Sequence, residues 1–205
     1  QIARRSSSEV AQQSLALAEA GSDRLQHTLE QLLLLARLDG QLEASESPQA
    51  DAAEITRMAL ADLGAVSRDI ELHWRIEHAQ TPIAVPAVLA IAALRNLLEN
   101  ALRHGPEKGQ KTLAVSQTQK QLVWTVTDGG SELPPEALTQ LTQRFWRASA
   151  DQRGSGLGLA IVSAICQRFG GSLELSNSLA GVCARLALPL IPPPAQNPSA
   201  VSQSS

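Results

Sequence analysis

The chain has 205 residues, is 43% hydrophobic and carries a formal net charge of −3. That suffices for one ordinary domain with an appendage, and the mild acidity leaves no electrostatic footprint for nucleic acid. No run approaches the roughly 18 apolar residues of a membrane span, and Gln1-Ile2-Ala3-Arg4-Arg5 does not open a signal peptide. A start at glutamine is expected for a piece of something longer. Cys166 and Cys183 fit no zinc spacing and are expected as reduced, buried thiols, while His27, His73, His78 and His104 are too scattered for a metal cluster.

Residues from about 8 to 38 read as one long helix, because Leu15, Ala18, Ser22, Leu25, Leu29, Leu32 and Ala36 recur by alternating threes and fours. The extra leucines of "LEQLLLLARL" widen the apolar face, so this helix needs several partners, as in a four-helix bundle. With one such helix in the chain, those partners are expected from an upstream segment or another subunit, which predicts a homodimer through residues 1–40. Residues 41–51, within "DGQLEASESPQAD", read as a linker. "AAEITRMALADLGAVSRD" reads as an amphipathic helix, and "IELHWRIE" as a half-buried strand with Ile70, Leu72, Trp74 and Ile76 on one face.

"PAVLAIAALRNLLENALRHG" is predicted as a helix running from a proline to a glycine. "KTLAVSQTQKQLVWTVTD" predicts a hairpin turning between Gln117 and Gln121. The loop from Gly129 to about Ser155 is long enough for a lid and holds the short helix "PEALTQLTQRF". A glycine-opened helix follows, then a hairpin of "GSLELS" and "VCARLALPL", then a tail at 191–205 whose Pro and Ser content predicts disorder. The expected class is α+β: residues 52–190 form one domain, with an antiparallel-type sheet covered by helices on one face.

Four stretches point to chemistry. In "NLLENALRHGP", Asn96 and Asn100 share a helix face with Arg103 nearby; they are candidate oxygen ligands for Mg²⁺, or caps for neighbouring backbone. In "VTDGGSELP", Asp128 ends an apolar strand and can accept from an exocyclic amine such as adenine's, or simply make an Asp-Gly turn. In "RFWRA", an aromatic pair framed by arginines is either a lid anchor or local core. In "GSGLGLAIV", Gly154, Gly156 and Gly158 either bring a helix N-terminus against phosphate or make a flexible loop.

The order of these stretches resembles the catalytic ATP-binding domain of sensor histidine kinases of two-component systems. The N box corresponds to "NLLENALRHGP", the G1 box to "DGG", the F box to "RFWR" and the G2 box to "GSGLGLAIV". The likeness runs from about Ser8 to Leu190, because "DRLQHTLEQLLLLARLDG" is similar to the second helix of the dimerisation bundle. The wording is similar to membrane-bound sensors related to QseC and PmrB.

The resemblance implies a two-layer α/β sandwich of the Bergerat type behind a bundle-forming helix, with ATP and Mg²⁺ bound. It implies that Asn100 holds the metal with Asn96 in support, that Arg103 touches phosphate, and that His104 lies over the purine. Asp128 would read the adenine amine, Gly130 would let the base approach, and Phe145 would anchor the lid. Gly154, Ser155, Gly156, Leu157 and Gly158 would lie along the triphosphate. The γ-phosphoryl group would pass to an upstream histidine and then to an aspartate on a response-regulator receiver domain. The parent would be a homodimer in the bacterial inner membrane, with this portion in the cytoplasm.

Two departures stand out. Glu132 replaces the last glycine of the G1 box, where a carboxylate facing inward would repel triphosphate; it is expected to point to solvent. No His-Glu-Leu-Arg-Thr-Pro-like phosphoacceptor box is present, and His27 is expected as a surface or seam residue. The chain should therefore bind ATP without phosphorylating itself. One alternative is a non-catalytic nucleotide-binding and dimerisation module, marked by Glu132. Another is an ATPase of the broader superfamily. There, Asn96 stands where gyrase-, HSP90- or MutL-like proteins carry a base, and Glu99 is expected about 100° away around the helix.

Overall fold

The computed structural model describes residues 14–15, 18, 21–22, 25–26, 28–36, 38, 50–76, 82–146 and 155–191. His27, Gly154, most of the expected linker and nearly all of the expected tail lie outside the described residues. Helix α1 spans Ala52–Asp62, and the Asp51 side chain caps it by accepting from the Glu54 N–H at 2.9 Å. The sequence predicts a helix through Asp69, but α1 stops early and a 3-10 turn, Gly64–Asp69, follows. Gly64 takes φ +61°, a left-handed setting that closes an α-helix.

Strand β1 (Ile70–Arg75) lies at one edge and pairs parallel with β2 (Lys111–Gln117). Helix α2 (Ala87–His104) makes the crossover that parallel neighbours require. Strand β3 (Gln121–Thr127) runs antiparallel to β2 and to β5 (Gly181–Pro189), and β4 (Ser172–Ser178) closes the other edge. The sheet order is β1-β2-β3-β5-β4, so the expected antiparallel-type sheet is in fact mixed. Period-2 patterning is blind to direction; the long helical connection decides it. Between β3 and β4 lie α3 (Pro135–Gln140), shorter than expected, and α4 (Gly158–Phe169).

The helices cover one sheet face, as predicted. Leu94 and Leu97 of α2 and Ile161 and Ile165 of α4 are fully buried with Leu113, Leu122 and Leu186 of the sheet. Each such side chain contributes about 1.5–3 kcal/mol. Trp124 is fully buried in β3, and its Nε1–H donates to Thr56 Oγ1 of α1 at 2.9 Å, which pins α1 over the sheet. The described residues between 14 and 38 are helical. Gln31, Leu35 and Leu38 pack against the domain, whereas Leu25, Leu29 and Leu32 of the predicted seam are exposed and face away from it.

Candidate functional site

A cavity of about 920 Å³ opens between α2, the ends of the central strands and the start of α4. Its size suits a small-molecule ligand. Along α2 the spacing of three and four residues turns Asn96, Asn100, Arg103 and His104 to this cavity. Asn96 is buried; its Nδ2 donates to Ala92 O at 2.8 Å, and its Oδ1 accepts from Gln31 Nε2 at 3.1 Å. Asn100 is half-buried beside Gly158. Partial burial, reinforced by the Arg103 guanidinium, holds the His104 pKa below its ordinary value, with Asp128 opposing more weakly. Lys111 is buried behind this corner, where its Nζ donates to Pro106 O at 2.7 Å and Gly109 O at 3.2 Å, tying down the loop after α2.

Asp128 is held in part by Val182, which the sequence did not single out. Its Oδ1 accepts the Gly130 N–H and the Val182 N–H, both at 2.9 Å. A Cβ at Gly181, whose φ is +97°, would stand 2.3 Å from that oxygen. Among the described residues Oδ1 takes both bonds, which leaves Oδ2 for a ligand. Apolar Val126, Leu175, Val182 and Ala184 line the cavity beside it. Gly105, expected as a helix stop, has φ −68°, so left-handed freedom is not its reason. A Cβ there would meet Asp128 O at 2.2 Å.

Opposite, α4 begins after Leu157 without a side-chain cap, and Gly158 and Leu159 line the cavity, which puts the start of the helix at that wall. Gly156 has φ +69°, and a Cβ on it would lie 2.9 Å from the Phe145 backbone. At Gly158 a Cβ would lie 2.8 Å from Asn96 Oδ1. Both glycines thus have a reason within the fold itself.

Ser155, Gly156, Gly158 and Gly130 line the cavity with the α2 residues; Phe145 and Leu157 do not. Leu157 is fully buried in the core. Phe145 is 61% exposed at φ +64°, and its contribution is a backbone bond, N–H to Gly156 O at 2.9 Å. The aromatic that does line the cavity is Trp146, whose Nε1–H donates to Gln140 Oε1 at 2.6 Å.

Glu132 is exposed at the cavity rim. Glu99 also reaches the cavity wall, and its carboxylate pairs with Arg95 at 3.5 Å. Sequence reasoning missed Gln31 and Asn177. Asn177 clamps the backbone of Leu133 at 3.0 and 2.8 Å, and an asparagine within a strand is the signal that could have found it. Cys166 is buried as expected, and burial pushes its thiol up to about 11, while Cys183 is only half-buried.

Residues 87–192 match the family model described as histidine kinase-, DNA gyrase B- and HSP90-like ATPase. Sensor protein kinase PmrB of Pseudomonas aeruginosa is 34% identical over 185 residues, which is 87% of this chain and 38% of that protein. Sensor protein CreC of Escherichia coli K12 is 35% identical over 170 residues, covering 80% and 35%. The chain thus spans little more than a third of these curated relatives. Among solved structures, the mycobacterial sensor histidine kinase MprB superposes with a TM-score of 0.60 at 26% identity, over 72% of this chain and 99% of that one. Full-length ShkA in complex with AMPPNP gives 0.67 at 23% identity, over 84% and 37%, and supports the fold alone.

Proposed function

Because the chain belongs to the family of histidine kinase-, DNA gyrase B- and HSP90-like ATPases, we propose that residues 52–190 bind ATP and position its γ-phosphoryl group for transfer to a histidine carried elsewhere in a two-component sensor kinase. The observation that carries this reading is Asp128, with one carboxylate oxygen bonded to two backbone N–H groups and the other left for an adenine amine.

Phosphoryl transfer asks mainly for positioning and charge neutralisation. Val126, Leu175, Val182 and Ala184 would flank the purine. His104, its pKa lowered, stays neutral near pH 7 and can lie against the base without a charge. Arg103 and the uncapped start of α4 would meet the phosphates.

The residues also fit a divalent ion. Asn100 offers a hard amide oxygen, and Gly158 adds no side chain of its own to the corner where Asn96 and Asn100 meet α4. When bound, Mg²⁺ would neutralise charge on the phosphate oxygens. We place the ion on Asn100, with Asn96 in support.

Water activation is the less favoured chemistry: Asn96 has no basic group, and the Glu99 carboxylate is engaged by Arg95. The exposed Leu25 and Leu29 would join the partner helices of a homodimer and form a surface for a response-regulator receiver domain. The parent would be anchored in the bacterial inner membrane with this portion in the cytoplasm. Calorimetric titration of the chain with a non-hydrolysable ATP analogue tests the proposal. Magnesium-dependent binding at one site, with no ADP released from ATP in water alone, is expected. A folded chain that does not bind, or steady ADP release, overturns it.

A further inference from the structure

We infer that Gln31 is a positioning residue of this site: through it the N-terminal helix occupies two groups that a metal–triphosphate would use, so docking of the helix and loading of the site compete. The inference rests on the nucleotide reading above. Gln31 is only 6% exposed and lines the cavity. Its Nε2 donates to Asn96 Oδ1 at 3.1 Å, and its Oε1 accepts from Ser155 Oγ at 2.5 Å. The partners lie 65 and 124 residues away in sequence, so both bonds depend on the tertiary placement of the helix.

The hydrogen-bonding inventory makes the competition specific. Asn96 fixes its own amide by donating Nδ2–H to Ala92 O, which turns its single carbonyl oxygen toward Gln31. Ser155 has one hydroxyl hydrogen. Its oxygen already accepts from the Leu157 N–H at 3.2 Å, and its hydrogen goes to Gln31. A phosphate oxygen accepting from Ser155 therefore requires Gln31 to let go, and a cation at Asn96 Oδ1 would have to share that oxygen with the Gln31 N–H, whose positive end opposes it. Leu35 and Leu38, one and two turns further along, are buried in the domain core, so the two bonds sit at the end of an apolar contact and move with it.

Linkage makes the effect reciprocal: a docked helix weakens loading by the factor by which loading weakens docking. Two neutral hydrogen bonds set that factor at about tenfold. The full chain and its Gln31→Ala variant would be titrated with the Mg²⁺ complex of a β,γ-imido ATP analogue, and separately with adenosine. The variant should bind the magnesium analogue about tenfold more tightly with adenosine binding unchanged. In the unaltered chain, amide exchange over residues 28–36 should quicken on saturation with the analogue. Gln31→Leu, which removes both bonds while keeping side-chain bulk, should repeat the result if packing is not the cause.

Equal or weaker binding of the magnesium analogue by both variants overturns the inference and leaves the nucleotide reading standing. So does a matching gain for adenosine, or exchange that slows on saturation. Failure of the unaltered, folded chain to bind either probe removes both readings together.

Discussion

Replacing Asp128 by asparagine and by alanine separates the two tasks assigned to its carboxylate. Oδ1 accepts the Gly130 and Val182 N–H groups at 2.9 Å. Asparagine can present its carbonyl oxygen to the same two donors, but it then turns an NH2 toward the adenine amine, donor against donor. Losing that charge-assisted bond costs about 1.5–3 kcal/mol, so affinity for an ATP analogue should fall about 10- to 100-fold. Its melting temperature should move little, because both backbone donors keep an acceptor.

Alanine strands both donors. The site is half-buried and water reaches part of it, so the cost is about 2 kcal/mol for the pair rather than a full burial penalty for each. In a chain of this size that lowers the melting temperature by roughly 4–8 °C. Calorimetric titration and thermal melting of the three proteins read the two effects separately. A triphosphate carrying hypoxanthine, whose carbonyl replaces the amine, should bind the asparagine variant relatively better. An asparagine variant that binds adenine nucleotide as the parent does would refute the reasoning. Equal destabilisation by asparagine and alanine would refute the role given to the two N–H bonds.

A glycine pair tests how the carboxylate is held. Gly181→Ala combines φ +97° with a Cβ 2.3 Å from Asp128 Oδ1 and should cost about 2–4 kcal/mol and weaken nucleotide binding. Gly64→Ala, at φ +61° with open space around the new Cβ, should cost only about 1–2 kcal/mol and leave binding intact; denaturant melts with titration would separate the pair. The lowered pKa of His104 predicts a pH effect of definite sign. As pH falls through the ordinary value of 6.5, the unfolded chain takes up a proton that the folded chain refuses. Stability should therefore decline with falling pH there and level off below the folded pKa; His104→Gln should flatten melting curves recorded between about pH 7.5 and 5.5.

The sequence by itself carried most of the secondary structure and many of the residues that line the cavity. Helical spacing places Asn96, Asn100, Arg103 and His104 on one face of α2 because side chains three and four apart share a face, and period-2 alternation marks the strands. It did not carry strand direction. Alternation is the same in parallel and antiparallel pairs, so β1 beside β2 emerged only with the α2 crossover. It did not show that the Phe145 N–H bonds Gly156 O, or that Gly105, which ends α2 as expected, also abuts the carbonyl of Asp128.

What only the tertiary structure decided is the set of contacts made across long sequence separations. The clasp of Asp128 by Gly181 and Val182, and the reach of Gln31 to Asn96 and Ser155, join segments that carry no local signal of one another. Periodicity and turn chemistry report on neighbours within a few residues. A hydrogen bond spanning 124 residues depends on where the packed core sets two elements, and no local pattern encodes that.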